Sequence, residues 1–434
     1  MSVRVIVIDP QGDVHLHLYV QELIKNDAGT FKRTIDELLF QVSKATMMRY
    51  SSRVKDALRT NSNDIYAASS KGVEILLRIL HGQNPTVGVD ISGVWHAIVF
   101  RTENYFSPTI LNDWYAGWYK LQPIEQNFRE WIRTKPEDQN WNPRCFLFPS
   151  WHLNDAVAFL EVTHFLVYNV ARYISEERPI KAQDKYRLDN QVIQQLNAAR
   201  GRLRSIAFNI LFNPMERILA TKKSCCESAA GDYHRALVET GSWPWERLGN
   251  STPMNTLLKQ LGDFSYQALG ETCGRCRLDY EDVVEACIHE TNIYFDGLCL
   301  DCMDASNPKT ESSDRDYWKH STMSKGEFLT GCRVKLHGEA TWYHSFMGRR
   351  EDFDRLRQEA KTENARELGQ GSQTQPRRNR KENTQPNRRA KYQHGGTEYR
   401  DKGEPKWHLK KKDTEKSKSD ESYARIMAAC GLSA

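Results

Sequence analysis

The sequence predicts an α+β protein in four parts, and three observations carry that reading. Short apolar runs near the start alternate with polar residues, a strand pattern. A longer succession of segments repeats its apolar residues at helical spacing. Two CxxC elements, Cys273-Gly-Arg-Cys276 and Cys299-Leu-Asp-Cys302, stand with 22 residues between them. At 434 residues and 39% hydrophobic content the chain can bury more than one core. The expected parts are a small α/β domain at 1–125, a helical region at 126–222, a small zinc-stabilised module at 230–345 and a charged, disordered basic tail at 350–434.

The N-terminal strands come first. Arg-Val-Ile-Val-Ile at 4–8 and Val-His-Leu-His-Leu-Tyr-Val at 14–20 flank Pro10-Gln-Gly12-Asp, which reads as a hairpin. Val14, Leu16, Leu18 and Val20 alternate with polar residues and predict one buried face, with His15 and His17 on a solvated one. A short apolar segment covers Lys32 to Val42, and helical spacing follows through Met47, Met48, Val54 and Leu58. Val73, Leu76, Leu77 and Leu80 predict a helix closed by a glycine at His81-Gly82. Two more helices are expected, through Val94 to Phe100 and through Leu111, Trp114 and Trp118.

The middle of the chain is aromatic and helical. A helix through Ala156, Phe159, Val162, Leu166 and Val170 is apolar around much of its circumference, so it should be buried. A second long helix runs over 188–219 through Val192, Leu196, Leu203, Ile206 and Ile210, and ends at Pro214 or soon after. Trp243-Pro-Trp245 reads as an anchor in a surface groove or a core plug, with the core favoured.

The two CxxC elements read as one structural Zn²⁺ site bound by Cys273, Cys276, Cys299 and Cys302. Each CxxC turn aims two sulfurs at one ion, and two turns close the tetrahedron. A closed tetrahedron has no position for water, which argues against hydrolytic chemistry. Arg275 and Arg277 can offset the charge of four thiolates, and Gly274 and Gly297 free nearby backbone N–H groups for the sulfurs. Cys287 and His289 lie between the pairs as substitute ligands. The tandem Cys225-Cys226 and lone Cys332 read as structural thiols, and no phosphate loop, nucleophile elbow or paired helical histidines point to an enzyme.

Charge is unevenly placed. Residues 370–418 hold 15 Lys/Arg against 6 Asp/Glu, a net +9 that leaves −4 for the rest of a chain whose total is +5. That tail suits an import signal, a weak nucleic-acid contact or a solvated arm. No run approaches a membrane span and no export signal is legible, so thiols are expected reduced, in the nucleus or cytoplasm, with no membrane partner.

Several N-terminal residues together carry a resemblance. They are Gly12-Asp13-Val14-His-Leu16, Phe40-Gln-Val42-Ser43 followed by Met47, Ser51 and Val54, and Glu74 through His81-Gly82. Glu103-Asn-Tyr105, Leu111, Trp114, Trp118, Trp151, Asp155-Ala156 and Phe159 extend the set. Over roughly 9–175 the chain resembles the BTB/POZ domain of fungal proteins. The resemblance implies a BTB/POZ-like α/β domain that recruits a protein partner, with homodimerisation and cullin binding as family properties. The expected function is therefore a non-enzymatic protein–protein interaction scaffold with a structural zinc. The alternatives are a nucleic-acid-associated transcriptional regulator using the zinc module and tail, and a substrate adaptor of a cullin-type ubiquitin ligase.

Overall fold

A computed structural model describes residues 3–300, apart from 27–28, 61, 136, 138, 182–184, 245–247, 249–250, 268–269 and 271, together with 333–334. Cys302, Cys332, Trp245, the charged segments beyond 350 and the basic tail lie outside the described residues. The described chain is α+β. Four strands form one small mixed sheet: β1 (Arg4–Val7), β2 (Val14–Asn26), β3 (Gly29–Val42) and β4 (Asp64–Ala67), in the order β1-β3-β2-β4.

The expected β1–β2 hairpin does not form. β3 lies between them, antiparallel to β2 and parallel to β1, with Val5 opposite Leu39 and Leu16 opposite Phe40. Two physical facts favour this order. Leu38, Phe40 and Val42 of β3 are all but fully buried, so β3 gains most from a central place, whereas β1 is largely exposed. The link at 8–13 is also long enough to step over a neighbouring strand, and Ile8 and Asp9 donate their N–H groups to the Gln41 carbonyl at 3.1 Å as it does so. The alternation read in β2 holds: Val14, Leu16, Leu18 and Val20 face the core, and His15, His17 and Tyr19 face outward. At Val20/Gln21 the β2–β3 register shifts, a bulge.

The helical spacing after β3 resolves into two helices, α1 (Lys44–Tyr50) and α2 (Ser52–Arg59). Ser51 is the joint. Its Oγ accepts from the Val54 N–H at 3.1 Å, capping α2, and donates to the Asn104 carbonyl at 2.6 Å. α3 (Ser70–Leu80) ends as expected: Gly82 adopts φ +74°, and the Gln83 N–H closes on the Arg78 carbonyl at 2.9 Å. His81 then ties this end to the start of α1. Its Nε2 accepts from the Ser43 N–H at 3.0 Å, which leaves Nδ1 as the donor to the Leu77 carbonyl at 2.7 Å.

α4 (Ile91–Glu103), α5 (Asn112–Lys120) and α6 (Ile124–Thr134) follow, then a 3₁₀ turn (Pro143–Phe146), α7 (Leu147–His152) and α8 (Ala156–Asn169). Contacts run freely across residue 125. Trp95 of α4 stacks on Phe148 at 4.9 Å and donates Nε1–H to the Cys145 carbonyl at 2.8 Å. The Tyr115 hydroxyl meets Ser150 Oγ at 2.9 Å. One hydrophobic cluster therefore extends from Ile8 through Leu300. The middle helices pack on the N-terminal unit; they do not stand apart from it.

The C-terminal part of the described chain is layered on α9 (Asn190–Leu219), which continues through Pro214 for five further residues. α10 (Ser224–Glu239), α11 (Met254–Leu261) and α12 (Tyr280–Ile293) complete it. α10 lies along α9, where the Tyr233 hydroxyl donates to the Leu211 carbonyl at 3.0 Å. α12 lies along the same helix, where the Cys287 thiol donates to the Ala207 carbonyl at 3.6 Å. Trp243 is partly buried and packs against Phe212 and His234, whereas Pro244 is exposed. Among the described residues, no helix is long and apolar enough to cross a membrane.

Half-buried histidines are expected to make this fold sensitive to acid. Burial, reinforced by the Arg101 guanidinium, holds His152 down to about 4, and burial lowers His96 and His164 as well. Below about pH 6.5 the unfolded chain takes up a proton that native His152 refuses until about pH 4. Stability is therefore full above pH 6.5 and is lost as pH falls toward 4, by about 3 kcal/mol for His152 alone. Urea midpoints of the wild type and of His152→Gln at pH 7.5 and pH 5 check this. The wild type should lose more than the variant, and equal losses would contradict it.

Candidate metal centre

The shared platform of α9 decides where the cysteines meet. By holding α10 and α12 side by side, it sets the first turn of α10 against the turn that precedes α12. Cys225 and Cys226 occupy that first turn, after Lys223, which caps the helix with no side-chain hydrogen bond. The open N–H groups and the positive pole of the helix favour negative charge on the neighbouring sulfurs.

The opposing turn is the first CxxC. The Arg277 N–H closes it on the Cys273 carbonyl at 3.0 Å, and the Cys273 N–H donates to Cys276 Sγ at 3.2 Å. The backbone N–H groups of Arg275 and Cys276, with the Cys226 thiol next, pull Cys273 down to about 6. Burial pushes Cys276 up, and burial followed by hydrogen bonding to Cys273 and Cys226 pushes Cys225 up to about 11. One thiolate is thus favoured while Cys276 and Cys225 hold their protons, as expected of thiols that share a site without a cation. A bound divalent metal would ionise the set outright.

The sulfur geometry fits such an ion. Cys226 Sγ and Cys276 Sγ each lie 3.7 Å from Cys273 Sγ, and all four sulfurs of Cys225, Cys226, Cys273 and Cys276 fall within 4.8 Å of one another. A tetrahedral Zn²⁺ with Zn–S bonds of about 2.3 Å separates its sulfurs by about 3.8 Å. No disulfide joins them: a bonded pair sits about 2.05 Å apart, and all four cysteines are free. A four-iron cluster would hold its thiolates farther apart. Cys226 and Cys276 are buried, Cys225 and Cys273 partly so. These four residues could hold a metal.

Only the first pair of the quartet expected from spacing enters this group. Cys299 is 2% exposed and sits in a segment drawn onto α8: the Leu298 N–H donates to Thr163 Oγ1 at 2.9 Å and the Phe295 N–H to the Tyr168 hydroxyl at 3.3 Å. Gly297 belongs to that packing. It adopts φ +106°, and a Cβ there would lie 2.3 Å from the Leu160 carbonyl oxygen. Cys302 lies outside the described residues. Of the substitute ligands, Cys287 is a buried thiol pushed up to about 12 by burial, and His289 is largely exposed beside Glu290. Arg275 and Arg277 are exposed at the rim.

Sequence reasoning missed Cys225 and Cys226 as candidate ligands. The signal available was their adjacency just ahead of a helical pattern, which supplies two sulfurs at a helix N-terminus. No spacing rule connects them to a CxxC that begins 47 residues after Cys226. No family model, curated protein or solved structure matches the chain, so the centre is read from its own atoms.

Proposed function

We propose that this chain is a non-catalytic protein-interaction scaffold whose helices α10 and α12 are stapled by one structural Zn²⁺. The four sulfurs of Cys225, Cys226, Cys273 and Cys276 within 4.8 Å are the observation that carries the reading. Four thiolates fill a tetrahedral ion completely, so the metal would contribute folding energy and not a reactive water. It would tie the start of α10 to the start of α12, residues far apart in sequence.

The recruiting surface, in this reading, is the BTB/POZ-like N-terminal part. Support comes from the residues that carry the resemblance, which sit at the joints of its helices. Ser43 and Ser51 cap α1 and α2 with their side chains, and His81 bonds across to the Ser43 backbone. Gly82 turns the chain out of α3. Such positions set the relative angles of helices, and a surface for a protein partner depends on those angles.

Cobalt substitution tests the structural role of the ion. The Co²⁺-loaded chain should show the spectrum of a tetrahedral four-thiolate centre, unchanged when azide is added. A spectrum that shifts with azide would reveal an open coordination position and overturn a purely structural site.

A further inference from the structure

The four sulfurs of the quartet are not equally placed toward solvent. Cys225 and Cys273 are partly exposed, whereas Cys226 and Cys276 are 0% and 1% exposed. Cys273 therefore offers a sulfur that a small solute can reach, with two further sulfurs 3.7 Å behind it, those of Cys226 and Cys276. The described cysteines outside the quartet are shut away: Cys145, Cys287 and Cys299 are all buried. An accessible sulfur backed by a second one is the arrangement that thiol oxidation requires, because the second sulfur captures the first oxidation product as a disulfide.

Two different bonds could form on Cys273, and the local backbone decides between them. Cys273 and Cys276 share one turn, closed by the Arg277 N–H on the Cys273 carbonyl at 3.0 Å and by the Cys273 N–H on Cys276 Sγ at 3.2 Å. Their sulfurs stay neighbours whatever the helices do, and closing from 3.7 Å to the about 2.05 Å of a bonded pair is a movement within that turn. A bond from Cys226 to Cys273 instead depends on α10 and the turn keeping their places once the ion has left. Cys225 and Cys226 are consecutive in the first turn of α10, where adjacent side chains point apart.

We propose that the Cys273–Cys276 turn is an oxidation site, which a peroxide converts to a disulfide and which thereby releases the Zn²⁺ and opens the staple. The proposal rests on the metal reading given above. The Cys273 thiolate attacks one oxygen of hydrogen peroxide; the O–O bond breaks, hydroxide leaves, and a sulfenic acid remains on Cys273. The Cys276 thiolate then attacks that sulfur; the S–S bond forms, the S–O bond breaks, and a second hydroxide leaves. The two sulfurs give up two electrons, the two peroxide oxygens take them, and two protons turn the hydroxides into water. An ion left with two of its four ligands departs, and Cys225 and Cys226 take up protons.

Peroxide titration of the zinc-loaded full chain tests this, with released zinc read by a chromogenic chelator. Thiols are then blocked with N-ethylmaleimide and the disulfides mapped by mass spectrometry. Zinc should be lost in step with a Cys273–Cys276 bond, while Cys225 and Cys226 carry the maleimide. The Tm should fall to that of the chelator-stripped chain, and a thiol reductant with added zinc should restore it. Cys276→His keeps a ligand that zinc accepts and removes the second sulfur. In that variant no disulfide should form at the quartet, and dimedone should trap a sulfenic acid on Cys273. Zinc retained while peroxide is in excess, or zinc lost with any other disulfide as the main product, would overturn the proposal and leave the metal reading intact. A reduced wild-type chain that binds no zinc would overturn the metal reading itself.

Discussion

Replacing Cys276 with serine, or stripping the protein with a chelator, is expected to lower Tm by roughly 10 °C. The size follows from linkage. An ion present at a thousand times its Kd stabilises the state that binds it by about 4 kcal/mol, and each kcal/mol shifts Tm by roughly 2–4 °C in a domain of 150–250 residues. Cys276 is the informative position because it is 1% exposed and its sulfur lies 3.7 Å from Cys273 Sγ. Serine offers a harder, less acidic donor in a place built for sulfur. Differential scanning calorimetry of wild type and Cys276→Ser, each with and without chelator, checks the expectation. The chelator should lower the wild type to the level of the variant and leave the variant unmoved. A wild type indifferent to the chelator would contradict the staple.

Gly297→Ala is expected to be the most destabilising single methyl group in the described chain outside that centre, at above about 3 kcal/mol. Two independent costs add. The backbone at φ +106° is a region that residues with a Cβ rarely adopt. The new Cβ would also sit 2.3 Å from the Leu160 carbonyl oxygen and 2.9 Å from Leu160 Cγ, with backbone on one side that cannot yield cheaply. The segment displaced would release the bond from the Leu298 N–H to Thr163 Oγ1 and expose Phe295, Leu298 and Leu300, all buried now. Urea denaturation of the variant gives the number. A loss under 1 kcal/mol would mean that α8 and this segment separate easily, contrary to the packing described. Zinc content should stay the same in this variant, which keeps the two predictions distinct.

Much of the fold could be read from periodicity because single elements obey local rules. α3 shows this with Val73, Leu76, Leu77 and Leu80 all buried and Gly82 at its end. α8 does too, since a helix apolar all round has to be covered. Strand partnership obeyed no such rule. Nothing in the run Arg4 to Ile8 says that its neighbour is β3, because pairing depends on which strand most needs the centre, and Phe40 and Val42 settle that only in three dimensions. The break between α1 and α2 was hidden for a related reason. Ser51 serves both helices, and its second partner is the Asn104 carbonyl, far along the chain.

The candidate centre divides in the same way. The turn of Cys273 to Cys276 is legible because a CxxC turn is local, and its backbone N–H groups reach its own sulfurs. Its completion is not local. α9 supplies it, by receiving Tyr233 of α10 at Leu211 and Cys287 of α12 at Ala207 and so bringing two helix starts together. A tandem Cys-Cys and a CxxC have no fixed separation when a folded platform sets the distance.

The most direct test of the staple is the zinc content of two double variants of the full chain, Cys225→Ser/Cys226→Ser and Cys299→Ser/Cys302→Ser. With Cys225, Cys226, Cys273 and Cys276 as ligands, the purified wild type carries one zinc per chain, the first variant loses it and the second keeps it. Zinc retained by the first variant and lost from the second would contradict this centre and place the metal on the two CxxC elements instead.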